Sequence, residues 1–294
     1  MTVLTVVFAL LCALSNAAAT VYQRRAVAER PAVDGSGVKA AVTRLLRPLR
    51  RPMWWGGAAA MLSATVFQVL ALATGRLVVV QPLLASELLF TLLLISAVFH
   101  HRPNGVTWCA FVMLAAGLAL FLLAASPSGG SSHAAWWRWL AAGSGALFFT
   151  GCLLVVARHV AGAARAAVLG GATAVGFSFT AALTKETTEL FPGGVSAVFT
   201  SWPLYATAAV GAFSMLLLQV TLRAGSIIAS QPAMTLGDAL ISVMLGMALF
   251  GERIALGWLV LPELVAAGLI AAGVIIITRT PIMTYQPSQD LVEG

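Results

Sequence analysis

The sequence predicts an all-α, polytopic membrane protein with about nine transmembrane helices arranged as two inverted repeats. Three observations predict this fold: the apolar composition, a series of apolar runs of membrane-spanning length, and a match between two parts of the chain. Hydrophobic residues make up 60% of the 294 residues, and charged residues only 9%. Soluble domains carry about 25% charged residues, so water is the wrong solvent for most of this chain.

The apolar runs have the length of roughly 17–25 residues that a transmembrane helix needs. They cover approximately residues 2–22, 54–73, 77–99, 105–125, 140–157, 164–183, 200–222, 226–250 and 257–278. The runs lack the period-2 alternation of a membrane barrel strand, so we predict helices.

The positions of the basic residues predict the orientation. The loop 23–53 is strongly basic and is predicted to be cytoplasmic, which places the N-terminus outside and the tail 280–294 inside. Thirteen of the 17 Lys and Arg residues then lie on the cytoplasmic side. Residues 1–22 end like a signal-peptide cleavage site, but the basic residues follow this segment instead of preceding it, so we expect a retained helix. The excess of basic residues, a net charge of +7, lies beside apolar runs, so we expect contact with anionic lipid and no nucleic-acid partner. The expected location is the plasma membrane.

Two parts of the chain match each other. At an offset of 150 residues, Gly75, Gln81, Pro82 and Trp108 align with Gly225, Gln231, Pro232 and Trp258. At an offset of 151, Gln68 aligns with Gln219 and Glu87 with Asp238. The matched blocks are five spans apart, an odd number, so residues 54–157 and 158–279 are predicted to be inverted repeats. Secondary carriers commonly have this construction, with the substrate site between the halves near mid-membrane.

Acidic and amide side chains inside the predicted spans are the candidate site. An ionised side chain at mid-bilayer costs roughly 2.5–3.5 kcal/mol. The presence of Glu87, Asp238 and Glu263 within predicted spans therefore needs an explanation. They would bind a cation or cycle a proton, or else stay protonated and hydrogen-bond between helices. Proline frees a backbone carbonyl one turn earlier. Two Gln-Pro pairs are therefore expected to kink their helices and line a cavity, unless the kinks are purely structural. The polar candidates on these and neighbouring spans are Gln81, Gln231, Gln68 and Gln219, with Pro82 and Pro232 at the kinks and Asn16 and Ser178 as weaker candidates.

Several other functions lack their motifs. The sequence has no Walker phosphate loop, no Gly-x-Ser-x-Gly elbow and no His-Glu-x-x-His, so we expect neither an enzyme nor a bound cofactor. The cysteines and histidines lack metal-ligand spacing. Lys185 and Glu186 are expected to pair with each other or to reach the outer interface. A homodimer is compatible with the sequence.

Short motifs give the sequence a family resemblance. Arg-Pro-Met-Trp-Trp-Gly-Gly (51–57), Ala-Leu-Ala-Thr-Gly-Arg-Leu-Val-Val-Val-Gln-Pro-Leu (71–83), Gln-Pro-Ala-Met-Thr-Leu-Gly-Asp (231–238) and Phe-Gly-Glu-Arg (250–253) resemble the EamA-like drug/metabolite transporter superfamily. The long basic first loop and the nine spans are most similar to the NIPA-type magnesium transporter branch. The first half departs from the pattern, with His-His-Arg at 100–102 where the second half has Gly-Glu-Arg.

The resemblance implies a secondary transporter of a small polar solute, driven by an ion gradient or by downhill flow. In a magnesium transporter, Glu87 and Asp238 would be the natural oxygen ligands. A carrier of small solutes, a divalent-cation transporter and a non-transporting membrane scaffold therefore remain as alternatives.

Overall fold

The computed structural model describes residues 3–28, 52–99, 104–124, 128–129, 133–224, 227–253 and 260–279. Most of the predicted basic loop 23–53 and the whole predicted tail 280–294 lie outside the described residues.

Helices dominate the described part of the chain. In chain order they are α1 (Val3–Ala28), α2 (Pro52–Thr74), α3 (Leu77–Leu84), α4 (Glu87–Phe99), α5 (Gly105–Ala124), α6 (Trp136–His159), α7 (Gly162–Thr188), α8 (Val195–Thr200), α9 (Trp202–Arg223), α10 (Ile227–Phe250) and α11 (Val260–Thr278). A 3-10 turn at Phe191–Gly193 precedes α8, and the two-residue strands β1 (Ser128–Gly129) and β2 (Glu252–Arg253) pair antiparallel.

The prediction of a polytopic helical protein is confirmed. Seven helical segments in the described residues are long and apolar enough to cross a membrane: Val3–Tyr22, Trp55–Thr74, Leu77–Ala97, Trp136–His159, Gly162–Gly193, Trp202–Leu222 and Ser230–Phe250. Two shorter apolar stretches, Gly105–Phe121 and Leu264–Thr278, coincide with the fourth and ninth predicted segments. The finding is therefore seven candidate spans, and the count of nine stays a prediction.

The two Gln-Pro pairs differ in their effect on the helix. In the first pair, α3 ends at Leu84, a turn covers residues 85–86, and α4 begins at Glu87. Pro82 cannot donate a backbone hydrogen bond, which favours a break in this region. In the second, α10 runs unbroken through Pro232. The same dipeptide therefore interrupts only the first of the two matched helices, because the neighbouring residues also decide whether a helix continues.

Glycines allow several helices to approach closely. A Cβ atom on Gly117 of α5 would lie 2.8 Å from the Ile270 nitrogen of α11, and one on Gly273 would lie 2.7 Å from the Leu114 Cβ. From Gly117 back to Leu114 on α5, the contacting residue on α11 moves forward from Ile270 to Gly273, so α5 and α11 run antiparallel.

Two further helix pairs are antiparallel and are joined by hydroxyl groups. Thr5 Oγ1 at the start of α1 donates to the Thr74 carbonyl at the end of α2, at 2.9 Å. Thr173 of α7 and Thr221 of α9 share a hydroxyl hydrogen bond of 2.9 Å. Each of α1 and α7 therefore packs beside an antiparallel neighbour.

The exterior of the helix assembly is apolar. Leu147 and Phe148 of α6 are each 75% exposed, and other large apolar side chains are exposed on the long helices other than α7. Such a surface is unfavourable in water and matches the hydrocarbon interior of a bilayer. Trp139, in contrast, is buried and packs edge-on against Phe179, Trp202 and Phe250.

Candidate functional site

A cavity of about 650 Å³ lies between the helices. Its described lining comes from α1, α2, the α3–α4 segment, α7, α9 and α10, with the 3-10 turn and α8 near one end. Both predicted halves of the chain therefore contribute to one cavity.

Five of the seven predicted binding residues line this cavity: Gln68, Gln81, Glu87, Gln231 and Asp238. The weaker candidate Asn16 lines it as well. The fold brings these residues together although they are up to 222 positions apart, because α1 and α7 each pack against the helices that carry the acids. Whether these residues bind a ligand stays a prediction.

The other two predicted residues are placed differently. Gln219 is exposed on α9 and is absent from the described lining of the cavity. Gln68, with which it aligns at an offset of 151, does line the cavity, so the sequence match does not extend to the direction of this side chain. Glu263 lies in α11, and its side chain is outside the described residues.

Each cavity acid has a neutral hydrogen-bond partner on the helix packed beside it. The Asn16 side chain of α1 hydrogen-bonds to the Glu87 carboxylate. Ser178 Oγ of α7 lies 2.7 Å from Asp238 Oδ1, and Ser242 Oγ lies 3.4 Å from the same oxygen. Glu87 and Asp238 are also close enough to interact electrostatically. Both acids are therefore contacted by neutral polar side chains.

Gln81 is buried without a hydrogen-bond partner. It is 3% exposed, and neither its Oε1 nor its Nε2 finds a partner among the residues that the structure describes. Buried amides are nearly always hydrogen-bonded, and an unsatisfied one costs about 1–3 kcal/mol. Because Gln81 lines the cavity, a bound molecule would satisfy it.

Sequence reasoning missed a buried charged cluster beside the cavity. Lys185 Nζ donates to the Gly75 carbonyl at 3.0 Å and lies 3.7 Å from Glu252 Oε1 and 3.8 Å from Glu189 Oε1. Glu252 accepts the backbone N–H groups of Leu77 at 3.1 Å and Val78 at 2.9 Å. A carboxylate at a helix N-terminus satisfies unpaired N–H groups and interacts favourably with the helix dipole. The signal was the Gly-Glu-Arg turn, which the sequence analysis used only for the resemblance.

The expected pairing of Lys185 with Glu186 does not occur in the structure. Glu186 Oε1 lies 3.0 Å from His133 Nδ1, and Ala134 N donates to Glu186 Oε2 at 3.2 Å. Adjacent residues on a helix point about 100° apart, so Lys185 and Glu186 contact different neighbours.

The acids of the cavity form a pair and not a larger cluster. Within the described ranges, no group of three or more His, Cys, Asp and Glu residues is placed to hold a metal ion. An ion at this site would therefore draw its remaining ligands from amides, hydroxyl groups or water, which suits a hard cation.

Long apolar helices with an apolar exterior define the class: this chain is a polytopic helical membrane protein. The chain is 31% identical over 254 residues to the uncharacterized protein Cgl0250/cg0304 of Corynebacterium glutamicum, a match that covers 85% of this chain and 86% of the relative. The chain belongs to the same family as that protein. No family model matches the chain. No solved structure matches it.

Proposed function

We propose that this protein is a secondary transporter of the drug/metabolite transporter type, which moves a small polar solute across the plasma membrane. The cavity carries the proposal, because it collects intramembrane acids and amides from both halves of the chain. Such residues are costly in a membrane and usually mark a substrate or ion pathway. The driving force would be an ion gradient or the solute's own gradient.

The helix arrangement supports two inverted repeats within nine spans. The start of α3 lies beside the end of α10, because Glu252 caps Leu77 and Val78, and α5 runs antiparallel to α11. These helices are the partners in the sequence match. Copies of one unit that enter the membrane from opposite sides have this relation, and carriers commonly place their substrate site between such copies. The orientation with the N-terminus outside and the C-terminus in the cytoplasm belongs to the same proposal.

Solute flux in proteoliposomes tests the transport function. We expect counterflow of at least one labelled solute from a panel of amines, amino acids, sugars and organic acids. The double variant Glu87→Gln with Asp238→Asn should abolish this flux, whereas Gln219→Leu, on the exposed face of α9, should retain it. Absence of flux for every solute would favour the membrane-scaffold alternative. Equal flux in the double variant would refute the assigned site.

A magnesium transporter is a second candidate. The observation that favours it is that Glu87 and Asp238 line one cavity, which also contains amide and hydroxyl oxygens. Mg²⁺ binds through one or two carboxylates and keeps several waters. Uptake of Mg²⁺ into liposomes that contain an indicator dye, abolished by Asp238→Asn, would support this candidate over the organic solute.

A further inference from the structure

The charged side chains of the cavity favour a ligand of one charge. Glu87 and Asp238 line the cavity, and the described lining contains no Lys, Arg or His. Lys185 follows the lining residue Thr184 on α7, but its ammonium group contacts the Gly75 carbonyl and Glu252. Glu87 has the neutral hydrogen-bond partner Asn16, and Asp238 has the neutral partner Ser178. Any negative charge on these acids therefore lacks a described counter-charge, which favours a cation and repels an anion.

Gln81 supplies a second and independent indication of a ligand. Its amide is 3% exposed, lines the cavity and has neither its donor nor its acceptor satisfied within the described part of the chain. An amide offers both an acceptor oxygen and two N–H donors. An ammonium group could donate a hydrogen bond to the amide oxygen, and a water or a polar group of the same ligand could accept from the amide N–H groups.

The size and apolar walls of the cavity indicate an organic body. A volume of about 650 Å³ lies in the range of small-molecule sites, which is roughly 300–1,000 Å³. Three methionines and two phenylalanines form part of the wall: Met61, Met215, Met234, Phe177 and Phe191. Thioether side chains adapt to varied apolar shapes. Aromatic faces attract organic cations.

We propose that the transported solute is a small amphipathic organic cation, such as a primary amine, whose ammonium group binds between Glu87 and Asp238 while Gln81 hydrogen-bonds to it. That this cation is transported rests on the proposed function. The preference of the cavity for a cation rests on the residues that line it.

Ligand trios that share an aromatic body and carry a cationic, neutral or anionic polar group test the preference. Purified full-length protein is titrated with tryptamine, tryptophol and indole-3-acetate, and with phenethylamine, 2-phenylethanol and phenylacetate, while its melting temperature is followed. A ligand that binds the folded state raises that temperature. We expect at least one amine to stabilise the protein and its matched alcohol and acid to do so at least about tenfold more weakly. Equal effects within each trio, a stronger effect of the acids, or no effect of either amine at millimolar concentration overturns the proposal.

Matched variants locate the binding. Asp238→Asn and Gln81→Leu should each raise the Kd of the amine about tenfold or more, since the first removes the charge that attracts the ammonium group and the second removes a hydrogen bond to it. Glu189→Gln is the control for the acid, because Glu189 contacts Lys185 and is absent from the described lining. Gln219→Leu is the control for the amide, because Gln219 is exposed. Unchanged Kd in both cavity variants overturns the assignment.

Two further measurements separate this inference from the transport function. Amine binding without amine flux in proteoliposomes would refute transport and leave the cation site in place. Flux of a neutral or anionic solute without amine binding would refute the cation preference and leave transport in place. Stabilisation by MgCl₂ alone at micromolar concentration, lost in Asp238→Asn, would replace the organic cation with the metal ion.

Discussion

At the scale of single residues, the site depends on small polar groups that satisfy the buried acids. Ser178 is fully buried and its hydroxyl group lies 2.7 Å from Asp238 Oδ1 and 3.0 Å from the Asp238 carbonyl. Asn16 plays the matching part for Glu87. In a low-dielectric interior each such contact is stronger than in water, and its loss leaves a buried acceptor unsatisfied.

Ser178→Ala tests this dependence. We expect the free energy of unfolding to fall by about 1–3 kcal/mol, because the carboxylate of Asp238 loses its shortest hydrogen bond. The measurement is unfolding in mixed micelles with increasing SDS. Ser144→Ala is the control, since Ser144 is exposed and bonds only to its own helix, at the Ala141 carbonyl. A loss as large in Ser144→Ala would contradict the role of Ser178.

At the scale of helices, close backbone approach and a charged cap hold the elements in place. Gly117 lies against the backbone of Ile270, whereas Gly268, its partner at an offset of 151, has open space around it. At the other end of the fold, Glu252 links β2 to the start of α3 and to Lys185 of α7. The two matched parts of the sequence therefore share a pattern while their helices make different contacts.

Gly117→Ala and Gly268→Ala form a matched pair. The first should destabilise the protein by about 1–3 kcal/mol, because the added methyl group overlaps the backbone of α11. The second should leave stability unchanged or raise it by up to about 1 kcal/mol, because alanine favours helix and meets no neighbouring atom. Thermal denaturation of the two variants in one detergent provides the comparison. Equal destabilisation would show that the close α5–α11 contact is absent.

Glu252→Gln tests the cap and its ion pair. We expect a loss of about 1.5–3 kcal/mol, because the first N–H groups of α3 lose a charged acceptor and buried Lys185 loses a counter-charge. Glu189→Gln is the control and should cost less than about 1 kcal/mol, since Glu189 is more exposed and screened by solvent. A double-mutant cycle with Lys185→Met should give a coupling of about 0.5–3 kcal/mol between Lys185 and Glu252. Purely additive effects would show that the two side chains do not interact.

At the scale of the whole molecule, an apolar exterior surrounds a cavity that contains acidic and amide side chains, and the basic residues are predicted to lie mainly on one side. The exterior favours insertion in lipid, while the asymmetry of charge sets the orientation of the spans. An inverted repeat then requires that corresponding turns emerge on opposite faces of the membrane.

Cysteine labelling tests the inversion. In a background in which Cys12, Cys109 and Cys152 are replaced, single cysteines are introduced as Arg76→Cys, between α2 and α3, and Ala224→Cys, between α9 and α10. A membrane-impermeant maleimide should label the first from outside intact cells and the second only in inverted vesicles. Removal of Arg76 takes a positive charge from the predicted outer side, so it strengthens the predicted orientation. Labelling of both cysteines from one side would exclude inverted repeats.

The sequence by itself determined the helical membrane class and the approximate bounds of the helices, because the length of an apolar run is a local property that the bilayer selects. It also pointed to Glu87, Asp238 and Gln81, because buried polar residues stand out against an apolar background. Only the tertiary structure decided that Gln81 lacks a partner while Gln219 is exposed. It likewise decided that Glu252 binds Leu77 and Val78, about 175 positions away. Side-chain direction and contacts between distant helices depend on how the helices pack, which no local pattern in the sequence encodes.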